Sequence, residues 1–345
     1  MKRASILIIY TGGTIGMKTD EATGALVPFD FSGIYEEFPS LKRLNVDIEV
    51  FTIKPPIDSS NVTVDNWVYM ARIIRDNYEK YDGFLILHGT DTMSYSASAL
   101  SFMLENLAKP VIFTGSQIPI GILRTDGREN LITAIEIAGA RNEEGKPLVP
   151  EVALYFQNRL FRGNRTTKHS AEALNAFASF NCQPLADVGV NIQYNNAMIA
   201  SRPVAVDAPF TISESLSDEV VVVKLFPGIR PATLRAMLLD SGARGVVLET
   251  YGAGNAPTSE WFVELVKEAV SRGVVVVNVS QCKDGAVQMH LYETGLALQE
   301  AGVVSGHDMT VEAAVTKLMY VLGKNLPLSE TIELMRRPLR GEFTL

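Results

Sequence analysis

Two short segments of this sequence place threonine hydroxyls where chemistry could occur. T-G-G-T-I-G (residues 11–16) and H-G-T-D-T-M (residues 88–93) each follow an apolar run typical of a buried strand. In an open parallel sheet, the carboxyl ends of the strands line the crevice in which ligands bind. Two such ends would bring two hydroxyls and several free backbone N–H groups into one small volume. This combination predicts attack on a carbonyl carbon rather than nucleic-acid reading or metal binding.

A threonine nucleophile needs a partner that takes its proton. The chain has only four histidines, and the candidate partner is Lys168 in G-N-R-T-T-K (residues 163–168). A lysine can act as a base when it is desolvated enough to lose its charge. Asp91 would orient this lysine but would also favour its charged form. The sequence leaves open which of the two effects dominates.

Other kinds of site lack their motifs. The chain contains no G-x-G-x-x-G or G-x-x-x-x-G-K-[ST] phosphate loop, no G-x-S-x-G elbow and no H-E-x-x-H zinc motif. The histidines are widely scattered, and Cys182 and Cys282 form neither a C-x-x-C pair nor a disulfide framework. We therefore predict no metal and no organic cofactor, and we expect both cysteines to be buried or half-buried.

Composition favours a globular protein that acts on a small molecule. The chain has 345 residues, which is more than a single core usually supports. The net charge of −8 disfavours nucleic acid and anionic membranes as partners, because no basic surface is available. The apolar run at residues 6–10 is too short for a signal peptide, and no run is long enough to span a membrane. We expect a cytoplasmic protein.

Alternating strand and helix signals must position these segments. Strands are predicted at residues 5–10, 48–53, 83–87, 111–114, 152–156, 220–225, 245–248 and 274–279. Helices are predicted at residues 64–78, 94–106, 257–272, 311–322 and 329–336. This alternation is typical of the α/β class with a doubly wound parallel sheet. We predict a larger N-terminal catalytic domain (1–200), a linker (201–218) and a smaller α/β C-terminal domain (219–345), with a mobile loop at residues 18–28.

Several motifs together resemble those of the bacterial cytoplasmic (type I) L-asparaginases. These are T-G-G-T-I-G, H-G-T-D-T-M and R-G-N-R-T-T-K, with D-S-S, T-G-S-Q-I-P, Y-G-x-G-N-A-P and a closing L-R-G-E. The resemblance covers nearly the whole chain. It is highly specific in combination, although T-G-G-T alone would not be.

The resemblance implies a two-domain amidohydrolase that converts L-asparagine to L-aspartate and ammonia through a covalent β-aspartyl-threonine intermediate. Thr14 takes the place of the family's nucleophile. Thr90, Asp91 and Lys168 take the places of the residues that relay protons. The loops that hold the substrate match at four residues: Asp58, Ser59, Ser60 and Gln117.

The residue types agree with these roles. An α-carboxylate in a small pocket needs hydroxyl and backbone N–H donors, which Ser59 and the turn at Gly89 and Thr90 could provide. An α-ammonium needs a carboxylate, and Asp91 is the natural partner. Backbone N–H groups near Gly13 and Thr90 would hold the oxyanion, with a contribution of roughly 3 kcal/mol per donor.

Two features depart from the family's pattern. The family usually carries a tyrosine in the loop after the first motif, but no tyrosine stands here between residues 11 and 34. Either another residue or a tyrosine from a different segment activates Thr14. Some type I members also bind asparagine at a regulatory site, whose segments match at Tyr251, Asn255, Gln281 and Cys282. Glu249 lies where a basic residue would suit an anionic effector, which argues against allosteric control.

The resemblance further implies a homo-oligomer, a dimer of dimers.

Three alternatives to L-asparagine hydrolysis remain open as the function of this chain. An amidase of the same chemistry could prefer glutamine or another small amide, since one methylene discriminates by only about 1–3 kcal/mol. A non-catalytic sensor would bind asparagine or aspartate and release no ammonia. A nucleotide-binding module would be stabilised by nucleotides rather than by aspartate.

Overall fold

The computed structural model describes residues 3–19, 24, 26–28, 34–202, 208–291 and 293–345. The chain divides into two compact α/β units, as the sequence predicts. The first comprises Met1–Ser179 and Gln183–Ile212, and the second comprises Phe180–Cys182 and Ser213–Leu345. Within the predicted linker, residues 203–207 lie outside the described residues, and Thr211–Ile212 is a strand of the first unit.

The first unit alternates strands and helices along the chain. Its strands are β1 (Ala4–Tyr10), β2 (Met17–Thr19), β3 (Leu26–Pro28), β4 (Val46–Thr52), β5 (Gly83–Leu87), β6 (Leu104–Glu105), β7 (Val111–Thr114), β8 (Val152–Phe156), β9 (Arg159–Arg162), β10 (Thr167–Lys168), β11 (Phe177–Ala178), β12 (Ala186–Val188), β13 (Ile192–Tyr194) and β14 (Thr211–Ile212). Its α-helices are α1 (Ile34–Glu37), α2 (Val64–Asp76), α3 (Met93–Met103), α4 (Gly127–Gly139) and α5 (Asn196–Ala200).

Eight of these strands form the main sheet, in the order β13-β12-β9-β8-β7-β5-β1-β4. The five strands from β8 to β4 are parallel, and β9, β12 and β13 extend the sheet with antiparallel pairing. Because β4 and β5 lie on opposite sides of β1, the winding direction changes between β1 and β5. Ligands of doubly wound sheets bind at such a switch point, outside the carboxyl ends of the strands.

The central strands are apolar because they are covered on both faces. Every residue of β5, β7 and β8 is buried, as expected for parallel strands with helices on both sides. These three strands have the bounds that the sequence predicts. Helix α2 buries Trp67, Met70, Ala71 and Ile74 at helical spacing, so its apolar stripe faces the interior.

Several predicted segments were wrong in part. The described ends of the loop predicted at residues 18–28 are strands, because β2 and β3 pair antiparallel; residues 20–23 and 25 lie outside the described residues. Helix α3 ends at Met103 rather than at residue 106, because β6 pairs with β14. The helix predicted from residue 257 begins at Glu260, after Ser259.

The second unit has a four-stranded parallel sheet in the order β15-β16-β17-β18. Its strands are β15 (Val220–Lys224), β16 (Gly245–Thr250), β17 (Val275–Ser280) and β18 (Val304–Ser305). Its α-helices are α6 (Pro231–Arg235), α7 (Glu260–Ser271), α8 (Glu293–Glu300), α9 (Val311–Gly323) and α10 (Leu328–Arg336). No helix in the described part of the chain is long and apolar enough to cross a membrane.

A buried ion pair fastens the end of the chain to α9. Lys317 Nζ lies 2.7 Å from Glu342 Oε1, and both side chains are 0% exposed. The ammonium also donates to the carbonyls of Met335 (3.0 Å) and Arg337 (2.6 Å). Burial lowers the pKa of Lys317, and the Glu342 carboxylate opposes that shift. The last residue of the closing L-R-G-E motif, Glu342, is therefore buried in the interior, where it pairs with Lys317.

We expect Glu342→Gln to lower the free energy of unfolding of the second unit by about 3–5 kcal/mol, because it leaves a buried ammonium without its counter-charge. The matched control is Glu264→Gln, which removes an exposed pair with Lys267 on α7 and should leave the unfolding midpoint nearly unchanged. Urea unfolding followed by circular dichroism measures both variants. Equal midpoints for the two would contradict this account of the ion pair.

Candidate active site

The two segments that bear glycine and threonine meet at the switch point of the main sheet. The first loop (residues 11–16) follows β1, and the second loop (residues 88–92) follows its parallel neighbour β5. Gly13 has a φ of 87°, and a methyl group on it would lie 2.5 Å from both Cα and N of Gly89. Only two glycines allow so close an approach. The contact brings the loops of Thr14 and Thr90 together.

A third loop (residues 57–61), which follows β4, packs against the other two. The Ile57 N–H donates to the Thr11 carbonyl (2.7 Å), and Thr92 Oγ1 donates to the Ser59 carbonyl (2.6 Å). Ser59 is buried, and its Oγ would lie 2.5 Å from a methyl group on Gly89. The hydroxyl of Ser59 is thus held beside the contact between the first two loops.

Asp58 and Ser60 form the exposed end of the third loop. Asp58 Oδ1 accepts hydrogen bonds from the N–H (2.9 Å) and the Oγ (2.8 Å) of Ser60. These two donors lower the pKa of Asp58 below its ordinary value. The loop therefore presents an exposed carboxylate, which suits a ligand that carries an ammonium group.

Lys168 reaches the second loop from a separate two-stranded ribbon. It lies on β10, which pairs antiparallel with β11. Its Nζ donates to Thr90 Oγ1 (2.9 Å) and to Asp91 Oδ1 (2.7 Å). The Lys168 side chain is 17% exposed and that of Asp91 is 64% exposed. Three of the four residues predicted as catalytic are therefore joined by hydrogen bonds.

Gln117, predicted to line the amide end of the pocket, joins two other segments. Its Oε1 accepts a hydrogen bond from Thr90 Oγ1 (3.2 Å), and its Nε2 donates to the carbonyls of Ala171 and Ala173 (both 3.2 Å). The Thr90 hydroxyl therefore lies between Lys168 and Gln117. The same glutamine holds the segment that follows Lys168 against the second loop.

A buried carboxylate that the sequence did not single out supports Gln117. Asp126 is 4% exposed and accepts hydrogen bonds from the N–H groups of Gln117 (3.0 Å) and Ile118 (3.0 Å). It also accepts from Asn130 Nδ2 (3.2 Å), which donates to the Gly115 carbonyl as well (3.0 Å). Neither Asp126 nor Asn130 stands in a recognisable motif, and only the path of the chain brings them under this loop.

Thr14 lies in a single 3₁₀ turn, Thr14–Gly16, and is half-buried. In the described ranges, no residue forms a hydrogen bond with its hydroxyl. Tyr10 packs beneath the turn: a methyl group on Gly16 would lie 2.0 Å from the Tyr10 hydroxyl oxygen. Burial raises the pKa of Tyr10. The turn is thus fixed from below, and the Thr14 hydroxyl is available to a substrate.

His88 is a buried, hydrogen-bonded histidine of the interior. It is 1% exposed, and burial lowers its pKa to about 4. Across the described residues, no group of three or more His, Cys, Asp or Glu side chains is arranged to hold a metal ion.

The four residues predicted for a regulatory site lie in the second unit, after β16 and β17. Tyr251 and Asn255 form a β-bridge, and Thr294 donates to Asn255 Oδ1 (2.8 Å). Gln281 Nε2 donates to two backbone carbonyls, those of Leu225 (2.7 Å) and Glu249 (2.9 Å), so its amide hydrogens are already used within the fold.

The expectation that both cysteines are buried or half-buried was wrong for one of them. Cys182 is half-buried, but Cys282 is exposed, because it follows the end of β17 in a surface turn. Its own N–H donates to Ser280 Oγ (2.9 Å), which fixes the backbone of that turn and leaves the thiol outside.

Comparison with known families agrees with this geometry in both units. The model described as "Asparaginase, N-terminal" matches residues 5–200, and the model described as "Glutaminase/Asparaginase C-terminal domain" matches residues 219–335. The chain belongs to the asparaginase family. The resemblance that the motifs indicate is thereby confirmed over most of the sequence.

Relatives in this family match the whole chain. L-asparaginase 1 of Escherichia coli (strain K12) is 43% identical over 100% of this chain and 99% of that protein. The 60 kDa lysophospholipase of Homo sapiens is 42% identical over 98% of this chain and 61% of that protein. The crystal structure of L-asparaginase I from Vibrio cholerae superposes with a TM-score of 0.88 at 42% identity, over 99% of this chain and 100% of that one.

The close approach of the first two loops predicts a large cost for a side chain at Gly13. We expect Gly13→Ala to lower the thermal unfolding midpoint well below that of Gly145→Ala. Both glycines have positive φ (87° and 77°), which an alanine adopts only with backbone strain. Only Gly13 faces another backbone, whereas Gly145 has nothing within 4 Å. Equal midpoints in differential scanning calorimetry would contradict the contact.

Proposed function

We propose that this protein hydrolyses L-asparagine to L-aspartate and ammonia through a covalent β-aspartyl ester on Thr14. The observation that carries the proposal is the hydrogen-bonded group of Lys168, Thr90 and Asp91 beside the loop of Thr14, with distances of 2.9 and 2.7 Å from Lys168 Nζ. Membership of the asparaginase family supports amide hydrolysis, and the name of the E. coli relative supports L-asparagine as the substrate.

The polar groups around the three loops suit both ends of an α-amino acid. The buried Ser59 hydroxyl and the backbone N–H of Gly89 bind the α-carboxylate, which needs donors. The carboxylates of Asp91 and Asp58, both exposed, pair with the α-ammonium. These contacts orient the substrate so that its side-chain carbonyl faces Thr14, which converts an encounter between two molecules into a reaction within one complex.

In the first step, Thr14 Oγ attacks the side-chain carbonyl carbon of L-asparagine. The backbone N–H groups of Gly13 and Thr90 stabilise the negative charge that develops on the carbonyl oxygen. The C–N bond then breaks, and the departing nitrogen gains the proton that Thr14 loses. Ammonia leaves, and the β-aspartyl group stays on Thr14 as an ester.

In the second step, water attacks the ester carbonyl. With Lys168 in its neutral form, the Thr90 hydroxyl takes a proton from this water and passes its own proton to Lys168 Nζ, which Asp91 holds in place. The ester C–O bond breaks, Thr14 regains a proton and L-aspartate leaves. Gln117, which accepts a hydrogen bond from Thr90, keeps this hydroxyl in position between the steps.

We also propose that L-glutamine is a weaker substrate, because a single methylene discriminates by only about 1–3 kcal/mol. The motif resemblance supports two further features of the working protein, a cytoplasmic location and assembly as a dimer of dimers. A non-catalytic sensor would share the groups that bind the amino acid. Binding alone, however, does not require the lysine that is hydrogen-bonded to both Thr90 and Asp91.

We expect Thr14→Ala to abolish ammonia release from L-asparagine while L-aspartate still binds, because the variant loses the nucleophile and keeps the donors and carboxylates around it. A coupled ammonia assay measures turnover, and calorimetric titration measures L-aspartate binding. The matched control is Thr14→Ser, which retains a hydroxyl and should retain measurable turnover.

The same assay separates the alternatives. Dominant release of ammonia from L-glutamine would change the substrate and keep the mechanism. Wild-type protein that is folded and binds L-aspartate but releases no ammonia from either amide would contradict the proposed function and favour the sensor.

A further inference from the structure

A chain of buried hydrogen bonds runs beneath the second loop from α2 to the strand end. Trp67 Nε1 donates to Ser96 Oγ (2.9 Å), and Ser96 Oγ lies 2.9 Å from His88 Nε2. His88 Nδ1 lies 2.7 Å from the carbonyl oxygen of Gly89. Ser96 is 0% exposed and His88 is 1% exposed. The reaction steps above do not use any of these three side chains.

Only one arrangement of protons satisfies every member of the chain. The indole N–H of Trp67 can only donate, so Ser96 Oγ accepts that bond and offers its own proton to His88. The Gly89 carbonyl can only accept, so His88 Nδ1 carries the imidazole proton and Nε2 accepts from Ser96. Burial lowers the pKa of His88 to about 4, so the ring is neutral near pH 7, as this arrangement requires.

This chain fixes the orientation of the peptide plane between Gly89 and Thr90. In a trans peptide the C=O and the following N–H point in opposite directions. Because His88 holds the Gly89 carbonyl towards the interior, the Thr90 N–H points away from the buried ring. In the described part of the chain, this N–H has no hydrogen-bond acceptor. It lies in the turn against which Gly13 and Ser59 pack.

We propose that His88 is a positioning residue that aims the Thr90 N–H at the oxyanion of the reaction by holding the Gly89 carbonyl. The inference rests on the proposed function. His88 touches no substrate atom and exchanges no proton with one; it acts through a single peptide plane. Trp67 and Ser96 act through His88, because they fix its tautomer and its ring.

Two amide substitutions of His88 distinguish a role in positioning the Gly89 carbonyl from a role in packing the interior. In His88→Asn, the side-chain amide stands where Nδ1 stood and can still donate to Gly89. In His88→Gln, the longer side chain fills more of the space, and its amide stands near the former Nε2, opposite Ser96. A role in positioning favours asparagine, whereas a role in packing favours glutamine.

We expect kcat for L-asparagine to fall about tenfold in His88→Gln and about twofold in His88→Asn, the scale of one neutral hydrogen bond. KM for L-asparagine and Kd for L-aspartate should stay within about twofold of wild type, since the lost interaction is made mainly in the transition state. Steady-state ammonia release and calorimetric titration supply these values.

A matched pair of serines on α3 tests the rest of the chain. Ser96→Ala should lower kcat, whereas Ser101→Ala should leave kcat unchanged, because the buried Ser101 hydroxyl donates only to the Ala97 carbonyl of its own helix. Equal kcat for the two serine variants would overturn the role of Ser96 in this proposal.

Three other results would overturn the inference about His88. Equal loss of kcat in His88→Asn and His88→Gln, or a larger loss in His88→Asn, would overturn the inference in favour of packing. A parallel rise in KM and in Kd for L-aspartate would overturn it as well, because the damage would then extend to substrate binding. Absence of ammonia release by the wild type would overturn the proposed function, and the inference with it.

Discussion

The structure of the first unit depends on one contact, the approach of Gly13 to Gly89 across the switch point of the main sheet. A side chain on either glycine would collide with the neighbouring loop, on Gly13 with the backbone of Gly89 and on Gly89 with the hydroxyl of Ser59. The two glycines let the ends of β1 and β5 converge, and each is followed directly by a threonine. The sheet thus places Thr14 and Thr90 in adjoining loops.

The polar groups around this contact are held from below by buried ones. Asp126 holds the backbone of Gln117, and the hydrogen-bonded chain from Trp67 holds the Gly89 carbonyl. Lys168 approaches from the separate β10–β11 ribbon and closes the group at Thr90. Catalytic groups need this support because small displacements from productive geometry are costly. Asp58 and Asp91 are the exposed carboxylates of this group.

Much of this arrangement follows from the sequence, and the remainder depends on distant residues. The bounds of β5, β7 and β8 could be predicted because each strand is a continuous apolar run. Parallel strands that are buried on both faces show such runs rather than an alternation of apolar and polar residues. The turn residues after β1 and β5 indicate the site because glycine and threonine follow each strand end. Asp126 and the pairing of β2 with β3 could not be predicted, since neither has a local signal. The buried ion pair joins Lys317 on α9 to Glu342 beyond α10, and no local sequence pattern predicts that the two side chains meet.

A covalent ester on Thr14 can be detected directly in a variant in which its hydrolysis is slow. Lys168→Met should slow the attack of water more than the first step, because it removes the amine that lies 2.9 Å from Thr90 Oγ1 and takes the Thr90 proton in the second step. Acid-quenched protein from this variant, mixed with L-asparagine and digested, should show an aspartyl adduct on the peptide that contains Thr14 by tandem mass spectrometry. An adduct on the peptide of Thr90 instead, or sustained turnover with no adduct on any peptide, would contradict the account.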